Sequence, residues 1–394
     1  MNIVVFSDTF LPMNNGVVTH LIELYGTLAK RGHSITLFVS RPAKPIDTSA
    51  IESNNVRFHY LSSIPFPLYN DYRLSLGILP NSFKKIAEET DLIHVHTPMT
   101  LGINGSHLAK KFHIPLVNTF HAYFTEPEYF RVLYLHKIGL GNSVIVSKIM
   151  WSYARAHYNK ADAVVVPSEQ VKKYLLSNGI NKPIHVISNG IDLTKLDVLK
   201  KTPSEFFDLP DNYLLYVGRI SFEKDITILV HAFALFCKTD TDTNLVFVGT
   251  GPAENEIKKL VIEKKIENRV HFLGQIDHER LMSSNIYPNA LAFVSTSKSE
   301  TQGVCFLEAM AFGLPLVVVK AGGAYELARN TGIVCQPDQK DEVARAFTSL
   351  VSDSQLQKKF GEQSLKRVKE HSIDKTVAKM EALYEELVNS PAKK

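Results

Sequence analysis

Short apolar runs alternate with helical patterns along almost the whole chain. The runs are mostly continuously apolar, which is typical of parallel strands that helices cover on both faces. The stretches between them, such as Val17–Lys30 and Glu169–Asn178, carry apolar residues at helical spacing. The pattern therefore predicts an α/β protein with doubly wound parallel sheets. The predicted strands form a first series, Ile3–Phe6, Ile35–Val39, Leu92–Val95, Leu116–Thr119, Ala163–Val166 and His185–Ile187, and a second series, Leu214–Val217, Leu245–Val248, Val270–Leu273, Leu291–Val294 and Leu316–Val319.

A polar stretch with two prolines, Asn189–Asn212, separates the two series and is the predicted linker. The 394 residues are too many for one compact core, so two domains are expected. We predict a first Rossmann-like domain over 1–195, a second over 196–372, and a final helix over 373–394 that crosses back to the first domain. Doubly wound sheets bind ligands at the carboxyl ends of their strands, so a cleft between the domains is the expected site.

Composition and charge narrow the class of protein. Hydrophobic residues at 45% and charged residues at 21% are typical of a soluble globular protein. The net charge of +4 is small, and we expect no nucleic-acid partner. The residues through Gly190 hold 18 Lys+Arg against 12 Asp+Glu, and the remainder holds 26 against 28. This asymmetry fits an anionic partner for the first part, and ordinary variation of surface charge fits it equally.

The cysteines and the apolar runs indicate the compartment. The three cysteines, Cys237, Cys305 and Cys335, are widely spaced, which argues against a disulfide framework or a thiolate metal site. No signal peptide is visible, and no apolar run reaches the roughly 18 to 20 residues that span a bilayer. We therefore expect a cytoplasmic protein, or one attached only to the inner face of a membrane.

Two glutamates flank a predicted helix start in the second half. Gly303 opens a helix directly after a strand and a polar turn, so the backbone N–H groups near Val304 form a positive helix end suited to a diphosphate. Glu300, before the helix, could hold sugar hydroxyls, and Glu308, within it, a ribose hydroxyl. The equally weighted alternative is a carboxylate at the helix dipole and a buried, paired glutamate.

Two cations follow another strand of the same half. Arg219 offers a planar fork for phosphate oxygens and Lys224 a compact charge. Taken alone, these residues are more often solvated surface cations. The turn containing Gly249 also joins a strand to a helix, although a lone G-x-G is weak evidence.

Together these motifs resemble the donor-binding domain of the retaining glycosyltransferases of family 4, which have the GT-B fold. That family carries two glutamates separated by seven residues, as Glu300 and Glu308 are, and an Arg…Lys pair separated by four, as Arg219 and Lys224 are. The resemblance extends over nearly the whole chain. The segment around Gly16 and Val17 looks like the family's loop over the sugar phosphates, and Asn189–Asp192 looks like the start of its interdomain linker.

The segment Asn118–His121 is similar to the family's active-site region, which implies that His121 lies beside the transferred sugar and helps to stabilise an oxocarbenium-like transition state. A histidine at a strand end is otherwise more often a satisfied polar residue. His94 and His96 lie on one face of a strand and could suggest a metal site with His121. We reject a metal because no carboxylate or cysteine completes a plausible ligand set.

The resemblance also implies a mechanism. The family retains anomeric configuration and needs neither a cofactor nor a metal, because the helix dipole and the two cations neutralise the leaving diphosphate. Its favoured path is front-face attack, in which the departing phosphate takes the acceptor's proton, so we name no protein base. The predicted catalytic residues are His121, Glu300, Arg219 and Lys224, and the predicted donor-binding residues are Gly16, Val17, Arg219, Lys224, Gly249, Glu300, Gly303, Val304 and Glu308.

The acceptor is indicated by shorter segments. Ser297–Gly303 and His121–Glu126 look like those of the bacterial diacylglycerol glucosyltransferases, which implies UDP-glucose as donor and a membrane lipid as acceptor. A helical stripe of Lys148, Trp151 and Arg155 is the kind of surface that lies on anionic lipid. The alternative is that the tryptophan packs in the core while the cations face water.

A second basic and apolar patch combines Leu74–Leu79 with Lys84 and Lys85. Other acceptors remain open: a soluble sugar, a phosphatidylinositol-type lipid or a small metabolite. A Rossmann oxidoreductase is disfavoured because Asp8–Gly16 contains one glycine where G-x-G-x-x-G is needed. A non-catalytic nucleotide-sugar-binding protein is the alternative of another class. The sequence does not distinguish the nucleotide base, the hexose or the oligomeric state.

Overall fold

The computed structural model comprises two compact units, Met1–Gly190 with Ile373–Lys394, and Ile191–Ser372. The units divide after residues 190 and 372, where the sequence predicts divisions after 195 and 372. The structure describes residues 1–13, 15–49, 51, 53–66, 69–77, 83–127, 129, 143–201 and 205–390.

The first unit contains a seven-stranded parallel sheet in the order β3-β2-β1-β6-β7-β8-β9, with a separate antiparallel ribbon, β4-β5. The strands are β1 Asn2–Ser7, β2 Ser34–Ser40, β3 Val56–Leu61, β4 Ser63–Phe66, β5 Tyr69–Ser75, β6 Leu92–Val95, β7 Leu116–Thr119, β8 Ala163–Val166 and β9 Ile184–Val186. The described part of the chain before the second unit contains the helices α1 Gly16–Lys30, α2 Phe83–Glu88, α3 Thr100–Phe112, α4 Val144–Tyr158 and α5 Glu169–Ser177.

The second unit contains a six-stranded parallel sheet in the order β12-β11-β10-β13-β14-β15. Its strands are β10 Tyr213–Val217, β11 Asn244–Val248, β12 Val270–Phe272, β13 Ala292–Ser295, β14 Leu316–Val319 and β15 Gly332–Cys335. Its helices are α6 Leu193–Lys201, α7 Ile226–Phe236, α8 Glu254–Glu263, α9 His278–Met282, α10 Val304–Ala311, α11 Ala324–Ala328, α12 Lys340–Val351 and α13 Ser354–Val368. The chain then returns to the first unit as α14, Ile373–Asn389.

Burial on both faces explains why the strands are continuously apolar. In β1, Ile3 and Val5 pack into a cluster with residues of α1 and α14, whereas Val4 and Phe6 pack into a second cluster with residues of α3, α4 and α5. Alternate residues of a strand point to opposite faces, so each face of the sheet needs its own apolar set. The second unit is layered in the same way. The predicted doubly wound α/β architecture is confirmed.

The helix α14 packs on the first unit, as predicted. Its Val377 and Tyr384 are fully buried there. At the surface, Arg31 at the end of α1 contacts Glu381 over 2.7 Å, and His33 contacts the same carboxylate over 3.0 Å. Apolar burial supplies most of this docking, because exposed ion pairs contribute at most about 1 kcal/mol each.

The structure differs from the predicted elements in the linker and at several strands. The stretch predicted as a polar linker contains α6, and Leu196 of that helix is buried in the core of the second unit. The edge strands β3 and β15 and the ribbon β4-β5 were not predicted. β3 alternates apolar and polar residues, as a half-buried edge strand does, so it lacks the continuous apolar run that marks a central strand. β15 is apolar throughout, so this reason does not apply to it. Among the described residues, no helix is long and apolar enough to cross a membrane.

Candidate active site

The amino end of α10 is built around a glycine. Gly303 is the N-cap residue and has a φ of 78°, a left-handed conformation that favours glycine. A Cβ at this position would lie 2.5 Å from Cδ2 of Phe306 and 3.2 Å from Oε2 of Glu300. Because the N-cap has no side chain, it cannot occupy the N–H groups of Val304 and the following residues, which give this helix end its positive potential.

Lys224 and Glu300 meet beside this helix end. Lys224 closes a single 3-10 turn, Phe222–Lys224, that follows β10, and its Nζ donates to Oε1 of Glu300 over 2.6 Å. The two side chains are 16% and 15% exposed. The structure therefore brings two of the predicted catalytic residues together, although they are far apart in the sequence.

Arg219 follows β10, and its backbone carbonyl oxygen accepts a hydrogen bond from the Tyr216 hydroxyl over 3.0 Å. Burial raises the pKa of the Tyr216 hydroxyl well above its usual value, the negative charges of Glu300 and Glu223 raise it further, and the positive charge of Arg219 lowers it. Both Arg219 and Glu300 therefore act on the same hydroxyl.

The loops after β10 and β11 approach each other closely. A Cβ on Gly249, whose φ is 125°, would lie 2.1 Å from the carbonyl oxygen of Gly218. Only glycine allows this approach of two backbones at the carboxyl ends of adjacent strands. The structure thus explains why position 249 is a glycine, and the role of Gly249 in donor binding stays a prediction.

Glu308 is buried and paired. Its Oε1 lies 2.8 Å from Nε2 of His278, and its Oε2 accepts a hydrogen bond from the Tyr287 hydroxyl over 2.8 Å. These contacts match the alternative in which Glu308 is a buried, paired glutamate. Each carboxylate oxygen still retains one further lone pair for a ligand hydroxyl. His278 and Tyr287 were not singled out from the sequence, because no motif marks them.

In the first unit, His121 follows β7 and belongs to a cluster of rings. His96 Nδ1 lies 2.9 Å from His121 Nε2, and the His20 ring centroid lies 5.4 Å from that of His121. Removal from water lowers the pKa of His121 and of His96 well below its usual value, so both imidazoles are neutral at pH 7. His20 was not singled out from the sequence, and only the tertiary contact places it here.

The histidines considered for a metal are arranged differently from the expectation. The nitrogens of His94 contact hydroxyls of Tyr25, Tyr384 and Thr119. The histidines with nitrogens within 4.8 Å of one another are His20, His96 and His121. The third member of the cluster is therefore His20 rather than His94, and metal independence stays a prediction.

Gly16 and Val17 lie in the first turn of α1, not in a loop. The side chain of Asn15 is the N-cap and accepts hydrogen bonds from the N–H groups of Val17 over 3.0 Å and Val18 over 3.1 Å. Asn15 therefore already accepts from the backbone N–H of Val17, and the role of Gly16 and Val17 in donor binding stays a prediction. Gly16 itself is exposed at the start of the helix.

The predicted stripe on α4 is wrong in one member. Trp151 is 8% exposed and packs on Tyr174 with ring centroids 5.0 Å apart, so it belongs to the core, whereas Lys148 is exposed. Trp151, Lys148 and Arg155 nevertheless line one pocket of about 390 Å³, together with Glu126. The helix turns a different apolar set outward, Val144 at 67%, Ile145 at 71% and Ile149 at 61% exposure.

The second predicted patch is only partly described. Lys84 and Lys85 are exposed on α2, and Leu76 is 51% exposed. Ile78 and Leu79 of the apolar segment lie outside the described residues.

Comparison with known protein families gives one match for each half of the chain. The profile of Glycosyltransferase Family 4 matches residues 14–195, and that of Glycosyl transferases group 1 matches residues 198–367. An alpha-monoglucosyldiacylglycerol synthase of Streptococcus pneumoniae is 29% identical over 330 residues, which cover 80% of this chain and 70% of the relative. A synthase of the same name from Acholeplasma laidlawii is 27% identical over 327 residues, which cover 81% and 80%.

Among solved structures, HepE of Anabaena in complex with UDP-glucose matches with a TM-score of 0.73 and 20% identity, over 98% of this chain and 100% of that one. Identity at this level shows a shared fold. The structure has two parallel sheets and a glycine-capped helix with a Lys–Glu pair beside it. The two family profiles together account for both halves of the chain, and all these observations agree on one family. The chain belongs to the GT-B glycosyltransferases with family 4 and group 1 domains.

Proposed function

We propose that this glycosyltransferase moves glucose from UDP-glucose to 1,2-diacylglycerol, with retention of anomeric configuration and without a metal, as a peripheral protein on the inner face of the cell membrane. The observation that carries the donor half of this proposal is the pair of Lys224 and Glu300 beside the amino end of α10.

The second unit has the chemistry that a sugar diphosphate requires. Negative charge grows on the leaving diphosphate as the bond to the anomeric carbon breaks. The N–H groups of α10, Lys224 and Arg219 are preorganised positive groups, and such groups stabilise developing charge without reorganising. Glu300 is the acceptor for sugar hydroxyls, since Lys224 holds its carboxylate at the helix end.

His121 acts beside the sugar as a neutral group. Desolvation and the neighbouring histidines lower its pKa well below the usual value. An imidazolium would oppose the positive charge of an oxocarbenium-like transition state, whereas a neutral ring can hydrogen-bond a sugar hydroxyl without that repulsion.

The step balances without a protein base. The bond between the anomeric carbon and the phosphate oxygen breaks, and the acceptor oxygen forms its bond on the same face of the sugar. The acceptor's proton passes to the departing phosphate oxygen. This path yields UDP and an α-linked glucolipid from an α-linked donor.

Two lines support a lipid acceptor. The relatives from Streptococcus pneumoniae and Acholeplasma laidlawii are both named as alpha-monoglucosyldiacylglycerol synthases. The helix α4 exposes Val144, Ile145 and Ile149 next to Lys148, and an apolar face with a cation at its side is typical of helices that lie in a membrane interface.

Transfer to liposomes tests the proposal. Purified protein is incubated in EDTA with anionic liposomes, with or without 1,2-diacylglycerol, and with radiolabelled UDP-glucose, UDP-galactose, GDP-mannose or ADP-glucose. We expect organic extraction to recover label only with UDP-glucose and diacylglycerol, and the proton spectrum of the product to show an α-anomer. Glu300→Gln serves as the matched variant that keeps the size of the side chain.

Each alternative has its own outcome. Label that stays in the aqueous phase as a new glycoside would replace the lipid by a soluble acceptor. Transfer from another nucleotide sugar would replace the donor. Tight UDP-glucose binding without turnover toward any acceptor would overturn the catalytic proposal in favour of a binding protein.

A further inference from the structure

We propose that a buried chain of hydrogen bonds through His96, Tyr25 and Tyr384 sets the orientation and the tautomer of His121. Tyr384 lies on α14, so this chain makes the C-terminal helix part of the catalytic apparatus. The functional half of the inference rests on the proposed role of His121, and the structural half does not.

The chain is continuous from His121 to α14. His121 Nε2 lies 2.9 Å from His96 Nδ1, and His96 Nε2 lies 2.5 Å from the Tyr25 hydroxyl. The same hydroxyl lies 2.8 Å from His94 Nδ1, which in turn lies 2.6 Å from the Tyr384 hydroxyl. All four contacts are hydrogen bonds, and those of 2.5 and 2.6 Å are short for a nitrogen–oxygen pair.

The chain of hydrogen bonds also reaches the sheet, in addition to α14. His94 Nε2 lies 2.7 Å from Oγ1 of Thr119, two residues before His121 on the same strand end. Tyr25, Tyr384 and His94 are fully buried, so water does not compete for these hydrogen bonds.

Each neutral imidazole has one ring proton, so a ring that donates from one nitrogen accepts at the other. If His96 donates from Nδ1 to His121, the His121 proton is on Nδ1. If His121 donates instead, its proton is on Nε2 and His96 must donate from its own Nε2 to Tyr25. The tautomer of His121 is therefore tied to the direction of the whole chain, as it is wherever a second-shell partner takes one ring nitrogen.

Tyr384 takes part in choosing this direction. Its hydroxyl and that of Tyr25 contact the same nitrogen of His94. With Tyr384 donating to His94, the Tyr25 proton is available to His96. Without the Tyr384 hydroxyl, His94 competes for the Tyr25 proton directly.

His20 provides an internal contrast. Its Nδ1 lies 2.8 Å from the carbonyl oxygen of Asn189, and a carbonyl only accepts, so the proton is on Nδ1. Burial lowers the pKa of His20 to about 4, so the ring is neutral and its Nε2 carries a lone pair. The backbone thus sets the tautomer of His20, whereas side chains set that of His121.

Tyrosine-to-phenylalanine variants test the chain, because they remove a hydroxyl and keep the ring. Tyr25→Phe and Tyr384→Phe are compared with Tyr213→Phe, which removes a buried hydroxyl that donates to the Ile286 carbonyl over 2.6 Å in the second unit. We expect kcat with UDP-glucose to fall roughly tenfold in the first two, with KM for the donor within about twofold, and no change in the control.

Two substitutions at His96 separate its nitrogens. His96→Asn places an amide near the position of Nδ1 and keeps a partner for His121, whereas His96→Gln reaches the position of Nε2 and does not. We expect His96→Asn to resemble Tyr25→Phe and His96→Gln to lose more activity.

The tautomer is read directly by long-range ¹H–¹⁵N spectra of ¹⁵N-histidine protein, with His121→Asn to assign the signal. We expect one His121 tautomer in the native protein and a changed tautomer population in Tyr25→Phe and Tyr384→Phe, while His20 remains protonated on Nδ1 throughout. An unchanged His121 population in both variants would overturn the chain, whatever happens to the rate. Changed tautomers without turnover of any nucleotide sugar would instead overturn the proposed function and leave the inferred chain of hydrogen bonds standing. Changed tautomers with an unchanged kcat would overturn its catalytic importance.

Discussion

The ammonium of Lys224 donates to the carboxylate of Glu300 over 2.6 Å, and both side chains are less than one-fifth exposed. Each residue therefore limits the orientation of the other at the amino end of α10. A diphosphate bound there would meet a cation whose position is already established, and that preorganisation is what distinguishes a catalytic cation from a solvated one.

Replacement of this cation should lower the rate of transfer. We expect Lys224→Met to reduce kcat/KM for UDP-glucose roughly 100-fold, which corresponds to about 2.7 kcal/mol of transition-state stabilisation. The matched control is Lys258→Met, which breaks another Lys–Glu pair of 2.6 Å, with Glu254, on α8 of the same unit. Equal effects of the two substitutions on turnover would show that the Lys224 pair is only structural.

A methyl group at Gly303 should disturb both the helix end and the carboxylate. Gly303→Ala adds a Cβ that would lie 2.5 Å from Phe306 and 3.2 Å from Glu300, in a left-handed conformation. Gly274→Ala is the control, because Gly274 has a φ of 73° and nothing within 4 Å of an added Cβ.

Both variants carry the cost of a left-handed alanine, about 1 kcal/mol. We expect Gly303→Ala to lose a further ~1–3 kcal/mol in the free energy of unfolding and most of its activity, and Gly274→Ala to keep its activity. Urea unfolding and initial rates measure the two effects. Wild-type turnover in Gly303→Ala would mean that this helix end does not contact the donor.

The cluster of His20, His96 and His121 makes it necessary to test whether the protein works without a metal. Nitrogens of His20, His96 and His121 lie within 4.8 Å of one another, although His96 and His121 are also 2.9 Å apart as a hydrogen-bonded pair. We expect the protein purified without chelator to contain no stoichiometric metal by elemental analysis, and EDTA to leave kcat unchanged. A bound metal that is lost in His20→Ala together with activity would contradict both the tautomer chain and the metal-free mechanism.

Membrane attachment should depend on the outward face of α4. We expect the triple substitution Val144→Ser, Ile145→Ser and Ile149→Ser to reduce flotation with anionic liposomes at least several-fold, because it removes apolar surface available for burial in the interface. Ile262→Ser on α8 is the control, since that isoleucine is 63% exposed in the second unit. Undiminished flotation of the triple variant would exclude this face.

Buried histidines should make the first unit sensitive to acid. Burial lowers the pKa of His20 and of His157 to about 4 from 6.5. The unfolded chain then binds protons that the folded chain does not, so the stability present above pH 6.5 is lost as the pH falls toward 4, by about 3 kcal/mol for each residue. Asp8 acts in the opposite sense, because burial raises its pKa to about 6 and its protonation stabilises the fold between pH 6 and 3.8.

Urea unfolding followed by tryptophan fluorescence measures this balance, since Trp151 is the single tryptophan and lies in the core of the first unit. We expect the midpoint to fall between pH 6.5 and 5, and to fall more steeply in Asp8→Asn. A midpoint that stays level or rises over this interval would show that the histidines are not buried in their neutral form.

The sequence by itself determined the two sheets and most of the second unit's candidate site. A strand buried on both faces must be apolar throughout, and runs such as Leu316–Val319 therefore mark central strands. Glycine at Gly303 and charged residues after strands are equally local, because the carboxyl ends of parallel strands meet at one edge. The edge strand β3 and the helix α6 escaped prediction because partial burial leaves a mixed pattern of apolar and polar residues.

Only the tertiary structure decided which distant side chains share a space. The partners of Glu308 lie elsewhere along the chain, and helical periodicity placed Trp151 in a stripe without showing that it faces the core. Likewise, Tyr25 and Tyr384 have hydroxyls on the same nitrogen of His94 although most of the chain separates them. Such contacts depend on how helices dock on a sheet, and docking is set by packing over whole faces rather than by the residues at any one position.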